Sequence, residues 1–236
     1  MQSAEIKNEK ARIFIGHFGS GKSEVSVNYA LDLKKENKDV ILLDFDIVNP
    51  FFRSADAEKY LNDQGIRTIL PMYANTNVDT PVLTGEVMAA FDDKNAISVF
   101  DVGGDDLGAK AVGAFKEKIA EVGYELFFVC NVYRPMTDTI EKLHAMFAEV
   151  CETAGLNATG IINNTNLLEE TTGEIIYEGH QMLSEFSKQI GVPIKMTAGK
   201  KSALDEFESL LKERGEEPEH MKYLAIDKMI DLPWNS

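Results

Sequence analysis

Gly16-His17-Phe18-Gly19-Ser20-Gly21-Lys22-Ser23 reads G-x-x-x-x-G-K-S, the pattern of a phosphate-binding loop, or P-loop. Its flanks fit that reading. Arg12-Ile13-Phe14-Ile15 is a short apolar run with strand character. The segment from Glu24 to Lys35 carries apolar residues at Val25, Val27, Tyr29, Ala30, Leu31 and Leu33, as a helix would. Gly16, Gly19 and Gly21 let consecutive backbone N–H groups turn toward one anion, and the helix that follows adds its positive dipole end. His17, Phe18 and Ser20 complete the loop. Lys22 reaches the β- and γ-phosphates as a point charge, and the Ser23 hydroxyl is the expected first protein ligand to Mg²⁺. The alternative is a glycine-rich turn that merely caps a helix.

Outward from the loop, strands and helices alternate. The expected strands are 39–44, 66–70, 96–101, 124–130, 158–162 and 192–196, most of them near-continuous apolar runs of the kind buried on both faces of a sheet. The expected helices are 54–64, 84–91, 106–122, 137–153, 172–190, 202–213 and 219–230. This rhythm predicts a three-layer α/β/α fold with a mainly parallel central sheet, whose ligands sit at the carboxyl ends of the strands. With no repeat, low-complexity tract or linker in view, one domain is expected over 1–236, with its core at about 11–200 and a helical extension over 201–236.

Two apolar runs end in acids that should face the mouth of the loop: Asp44-Phe45-Asp46 and Asp101-Val102-Gly103-Gly104. An apolar strand followed by Asp holds Mg²⁺ directly or through water, which makes Asp101, with Asp44, the candidate metal support. Asp44 and Asp46 have period-two spacing, and Asp46 is the candidate for orienting the attacking water. Gly103 leaves the backbone free to approach a γ-phosphate. The competing reading is that these acids cap the next turn or helix. Arg53 and Arg134 also fall on the ligand side, although a surface ion pair is the commoner fate of such residues.

The net charge of −15 and the lack of any Lys/Arg-rich run disfavour broad binding to nucleic acid or to anionic membranes. Cys130 and Cys151 form no C-x-x-C and have no neighbouring His at ligand spacing; Cys130 reads as a core residue, and a reducing cytoplasm is expected. The first ten residues lack the apolar stretch of a signal peptide, and no apolar run is long enough to span a bilayer.

Together, the loop at 16–23, Asp44-Phe45-Asp46, Asp101-Val102-Gly103-Gly104 and Asn163 after a late strand resemble the MinD/ParA-like branch of SIMIBI-class P-loop NTPases. The strings GHFGSGKSE, LDFDIVNPFFRS, DVGGDD and NNTNL look more narrowly like a group of bacterial ATP-binding proteins. The resemblance implies that Asp46 polarises the hydrolytic water, that Asn163 touches the base, and that the segment 195–197 closes over adenine. It also implies a nucleotide-dependent switch acting on a protein partner or through a homodimer. The branch carries a lysine at the second loop position that reaches the partner's nucleotide; His17 stands there in this chain, and an imidazole is a poor substitute for a fixed ammonium. Guanine-specific relatives use N-K-x-D. The corresponding Asn163-Asn164-Thr165-Asn166 has no carboxylate, which favours ATP over GTP. Two other functions stay open: a ligase or kinase of small molecules like the dethiobiotin or cobyrinate synthases, and a nucleotide-binding assembly factor without turnover.

Overall fold

The computed structural model describes residues 9–46, 58–69, 84–104, 106–216 and 221–227. In chain order these form β1 (Ala11–Ile15), α1 (Lys22–Lys35), β2 (Asp39–Phe45), α2 (Glu58–Asp63), β3 (Arg67–Ile69), α3 (Thr84–Asp92), β4 (Ala96–Val102) and α4 (Asp106–Gly113). There follow α5 (Lys116–Val122), β5 (Tyr124–Cys130), α6 (Ile140–Ala154), β6 (Gly160–Asn163), a single 3₁₀ turn (Leu168–Glu170), α7 (Gly173–Ile190), β7 (Ile194–Gly199), α8 (Lys201–Glu213) and β8 (Lys222–Ala225). The strands make one eight-stranded sheet in the order β3-β2-β4-β1-β5-β6-β7-β8, parallel at every pairing.

Alternation along the strands feeds two cores, one on each face of the sheet. Ile13 and Ile15 of β1 join Ile41, Leu43, Phe100 and Phe128 on one face, where α3 to α7 also pack. Phe14 points the other way, into a cluster with Tyr29, Leu42, Val99 and Phe127 beneath α1. Its ring centroid is 5.1 Å from that of Tyr29 and 5.3 Å from that of Phe127. Burial on both sides is why these strands read as continuous apolar runs rather than alternating ones.

Three sequence expectations are corrected. The helix expected over 106–122 is two helices, because the chain breaks at Gly113–Phe115 and turns the Phe115 ring in against Phe45 and Phe91. A Cβ on Gly113 would lie 3.2 Å from the Thr153 carbonyl oxygen, so this residue lets the end of α6 come close. The helix expected over 219–230 is instead the edge strand β8 where the chain is described. Residues 195–197 lie within β7, not in a loop after it, and Thr197 is fully buried. Arg53, expected on the ligand side, falls outside the described residues.

Candidate nucleotide site

Strand β1 lies between β4 and β5, so the loop after Ile15 opens at the centre of the sheet's carboxyl edge. Gly21, at φ 82°, turns the chain into α1 and occupies the cap position, with no side chain capping the helix. The first-turn N–H groups of α1 are thus left for an anion. Lys22 and Ser23 open the helix and are buried, as is Ser20, whose hydroxyl has no hydrogen-bond partner.

The neighbouring strands bring the acids here. Asp44 on β2 and Asp101 on β4 stand directly opposite each other in register, and Phe14 of β1 pairs with Asp101 on its other side. Both carboxylates are fully buried. Neither oxygen of Asp101 has a partner within hydrogen-bonding geometry. Burial, reinforced by the Asp44 carboxylate, holds the Asp101 carboxyl well above the ordinary carboxylate range, against the opposing pull of Lys22 and Ser23. Asp44 Oδ1 accepts from the Asp46 N–H at 2.8 Å, which bends the end of β2 so that Asp46 follows at the mouth. Asp46 faces Gly103: a Cβ on Gly103 would come 3.2 Å from Asp46 Oδ1.

An unpartnered buried carboxylate beside a serine hydroxyl and a lysine ammonium suits a divalent cation, which would supply the missing positive charge. The residues that would hold Mg²⁺ are Ser23, Asp101 and Asp44. No group of three or more His, Cys, Asp or Glu side chains is set to hold a metal among the described residues. The ion's remaining ligands would therefore have to be phosphate oxygens and water.

Two side chains brace the loop from outside. The Asn164 amide donates to the Ser20 carbonyl at 2.7 Å, and Arg134 Nε donates to the Gly19 carbonyl at 3.0 Å. Holding these two carbonyls outward shapes the loop around its mouth, while within it the Ser20 N–H donates to the His17 carbonyl at 3.0 Å. Arg134 therefore meets the loop rather than an acid. Asn163, the expected base contact, is turned away: its amide donates to the Ile176 carbonyl at 3.0 Å and accepts from Thr165 N–H at 3.1 Å, all within the interior. Asn131, Asn164 and Asn166 interlock through further bonds that tie the loops after β5 and β6 together. In the run Asn163-Asn164-Thr165-Asn166, chain alternation alone does not say which amide faces the loop. His17 Nδ1 lies 2.8 Å from the Phe18 carbonyl, and the Phe18 side chain is half exposed at the mouth.

No protein-family model matches the chain, and no curated protein does. Solved structures match it at low identity. The cell division protein FtsY of Thermotoga maritima matches at 21% identity with a TM-score of 0.55, over 85% of this chain and 65% of that one. FtsY of Mycoplasma mycoides matches at 14% with a TM-score of 0.53, over 85% and 64%. A nucleotide-binding protein of Archaeoglobus fulgidus, in complex with ADP, aligns at 13% over 93% and 94%, with a TM-score of 0.48. The chain thus spans just under two thirds of the length of these FtsY structures. The protein has an α/β fold, an eight-stranded all-parallel sheet flanked by helices, similar to that of the FtsY structures. No described helix is long and apolar enough to cross a membrane.

Proposed function

We propose that this protein binds ATP with Mg²⁺ and hydrolyses it as a nucleotide-dependent switch of the MinD/ParA type. The observation that carries the reading is the convergence of an uncapped helix N-terminus, Lys22 and Ser23 with the unpartnered, buried carboxylate of Asp101. Phosphates would take the loop N–H groups and Lys22; Mg²⁺ would take Ser23 and the strand-end acids. Asp46, beside Gly103, would orient a water toward the γ-phosphate. Adenine is favoured because Asn163-Asn164-Thr165-Asn166, the run that corresponds to N-K-x-D, carries no carboxylate for guanine's amino and imino groups.

The test compares wild type with Lys22→Ala and Asp46→Ala. Lys22→Ala should lose phosphate-dependent binding in calorimetry, whereas Asp46→Ala should keep binding and lose turnover. Normal turnover in Asp46→Ala would remove that residue from the reaction. Sedimentation with and without ATP tests the homodimer, for which His17 offers no fixed charge to place across an interface.

A further inference from the structure

A cavity of about 410 Å³ lies beside the start of the P-loop. Gly16 and His17 form one wall and Gly103 and Gly104 another, while α6 contributes Met146, Glu149 and Val150. Ile15, Ala109 and Met136 complete an apolar lining, and Thr153 stands at the edge. That volume is in the range of small-ligand sites, about 300–1,000 Å³. No lysine or arginine is among the described residues that line it, although the loop's own Gly16 and His17 form part of its wall. Among the described lining residues the one carboxylate is Glu149, which is exposed and forms no ion pair with another described residue. Apolar walls with a single acid at the rim fit a compact organic cation, and the strongly negative chain raises the local concentration of such ligands.

The wall at Gly103–Gly104 has a second role. A Cβ on Gly104 would lie 2.5 Å from the Phe18 backbone nitrogen and 2.9 Å from Lys22 Nζ. Those are the groups a γ-phosphate would use, so this backbone lies across the mouth of the loop. A molecule seated in the cavity would contact the strap in this placement, and would favour it by as much as those contacts are lost when the strap moves away.

We propose that the cavity is an effector site for a small apolar primary amine, and that its occupancy opposes nucleotide binding by holding Gly103–Gly104 over the P-loop. The second half rests on the nucleotide reading above; the first does not. Linkage makes the antagonism reciprocal: nucleotide must weaken the amine by the factor by which the amine weakens nucleotide.

The experiment uses the full chain with ¹³C-methyl-labelled methionines, with Met136 and Met146 assigned by Met→Leu substitution. Phenethylamine is titrated against 2-phenylethanol and phenylacetate. Saturable shifts at Met136 and Met146 are expected with the amine, which should bind about two- to fivefold tighter than the alcohol, the strength of an exposed charge pair. Glu149→Gln should erase that preference. Met136→Trp, a change at a half-exposed rim residue, should block the site without disturbing the fold. Saturating Mg²⁺ with a slowly hydrolysed ATP analogue should raise the amine's apparent Kd several-fold. Equal binding of amine and alcohol, or no shift at either methionine, overturns the site. Amine binding indifferent to bound nucleotide overturns the coupling. A wild type that takes up no nucleotide at all overturns the coupling together with the nucleotide reading, while the methionine shifts still decide the site.

Discussion

The Asn164 side-chain amide donates to the Ser20 carbonyl at 2.7 Å, joining the loop after β6 to the middle of the P-loop. A Cβ on Gly21 would sit 2.3 Å from that same nitrogen, so Gly21 is what lets the two loops meet. The bond supports the shape of the anion site rather than the base. Asn164→Ala should therefore lower affinity for Mg²⁺-nucleotide by about 1–2 kcal/mol, roughly 5- to 30-fold, with little preference between ATP and ADP. Asn163→Ala should instead lower stability by about 1–3 kcal/mol, because it strands the buried Thr165 N–H and cuts the bond that ties β6 to α7, and leave the affinity of folded protein nearly intact. Calorimetry and denaturant titration on both variants separate the two; the reverse pattern would restore Asn163 as the base contact.

Asp101 should make the empty protein less stable than it need be. Its carboxyl titrates above the ordinary value, chiefly through burial and then through Asp44. The folded state therefore binds this proton more tightly than the unfolded chain does. The contribution is favourable at low pH and is lost as pH rises from the ordinary carboxylate value through the raised one. Asp101→Asn removes that loss, and each unit of upward displacement corresponds to about 1.4 kcal/mol. At neutral pH the variant should thus unfold at higher denaturant than wild type in the absence of nucleotide, with the gap closing in acid. It should also lose the Mg²⁺ dependence of nucleotide binding. A variant less stable than wild type at pH 7 would mean that Asp101 is compensated where it lies.

Much of this was legible in the chain before folding. The P-loop, the acids at the ends of β2 and β4 and the βα rhythm are local patterns, and local patterns survive into the fold. What escaped depends on neighbours distant in sequence. Lys222–Ala225 carries one buried residue, Leu224, and becomes a strand only because β7 offers a free edge beside it. The break at Gly113 is set by α6, about forty residues later along the chain. Asn163 and Asn164 are chemically identical, and only the packing of α7 against β6 decides which faces the loop.

Gly104 offers a direct probe of the strap. Since a Cβ there would strike the Phe18 backbone at 2.5 Å, Gly104→Ala cannot keep the present arrangement. The strap should move off the loop, costing the empty protein about 1–3 kcal/mol, the usual penalty of overpacking. Nucleotide should then associate several-fold faster, because no segment has to leave the mouth first. Stopped-flow mixing with a fluorescent ATP analogue measures this, and an association rate at or below that of wild type would show that the strap does not gate the loop.

The C-terminal edge is tied to the same helix that the P-loop opens. Asn28, on α1, donates to the Asp227 carbonyl at 2.9 Å and accepts from the Asp227 N–H at 3.0 Å, so one side chain copies both bonds of a backbone pair. Nearby, Lys222 Nζ pairs with Asp32 at 2.5 Å and lies over the Tyr29 ring. Strand β8 is thus held by β7 on one side and by α1 beneath, although only Leu224 is buried. The exposed ion pair contributes little, and the Asn28 clasp is the stronger tie. Asn28→Ala should remove about 1–3 kcal/mol of local protection, which hydrogen exchange would detect as faster exchange at residues 222–227 while the amides of β1 and β5 stay protected. Lys222→Ala should change the same amides far less. Uniform loss of protection across the sheet in Asn28→Ala would mean that the edge strand folds as one unit with the core rather than as a separately tethered element.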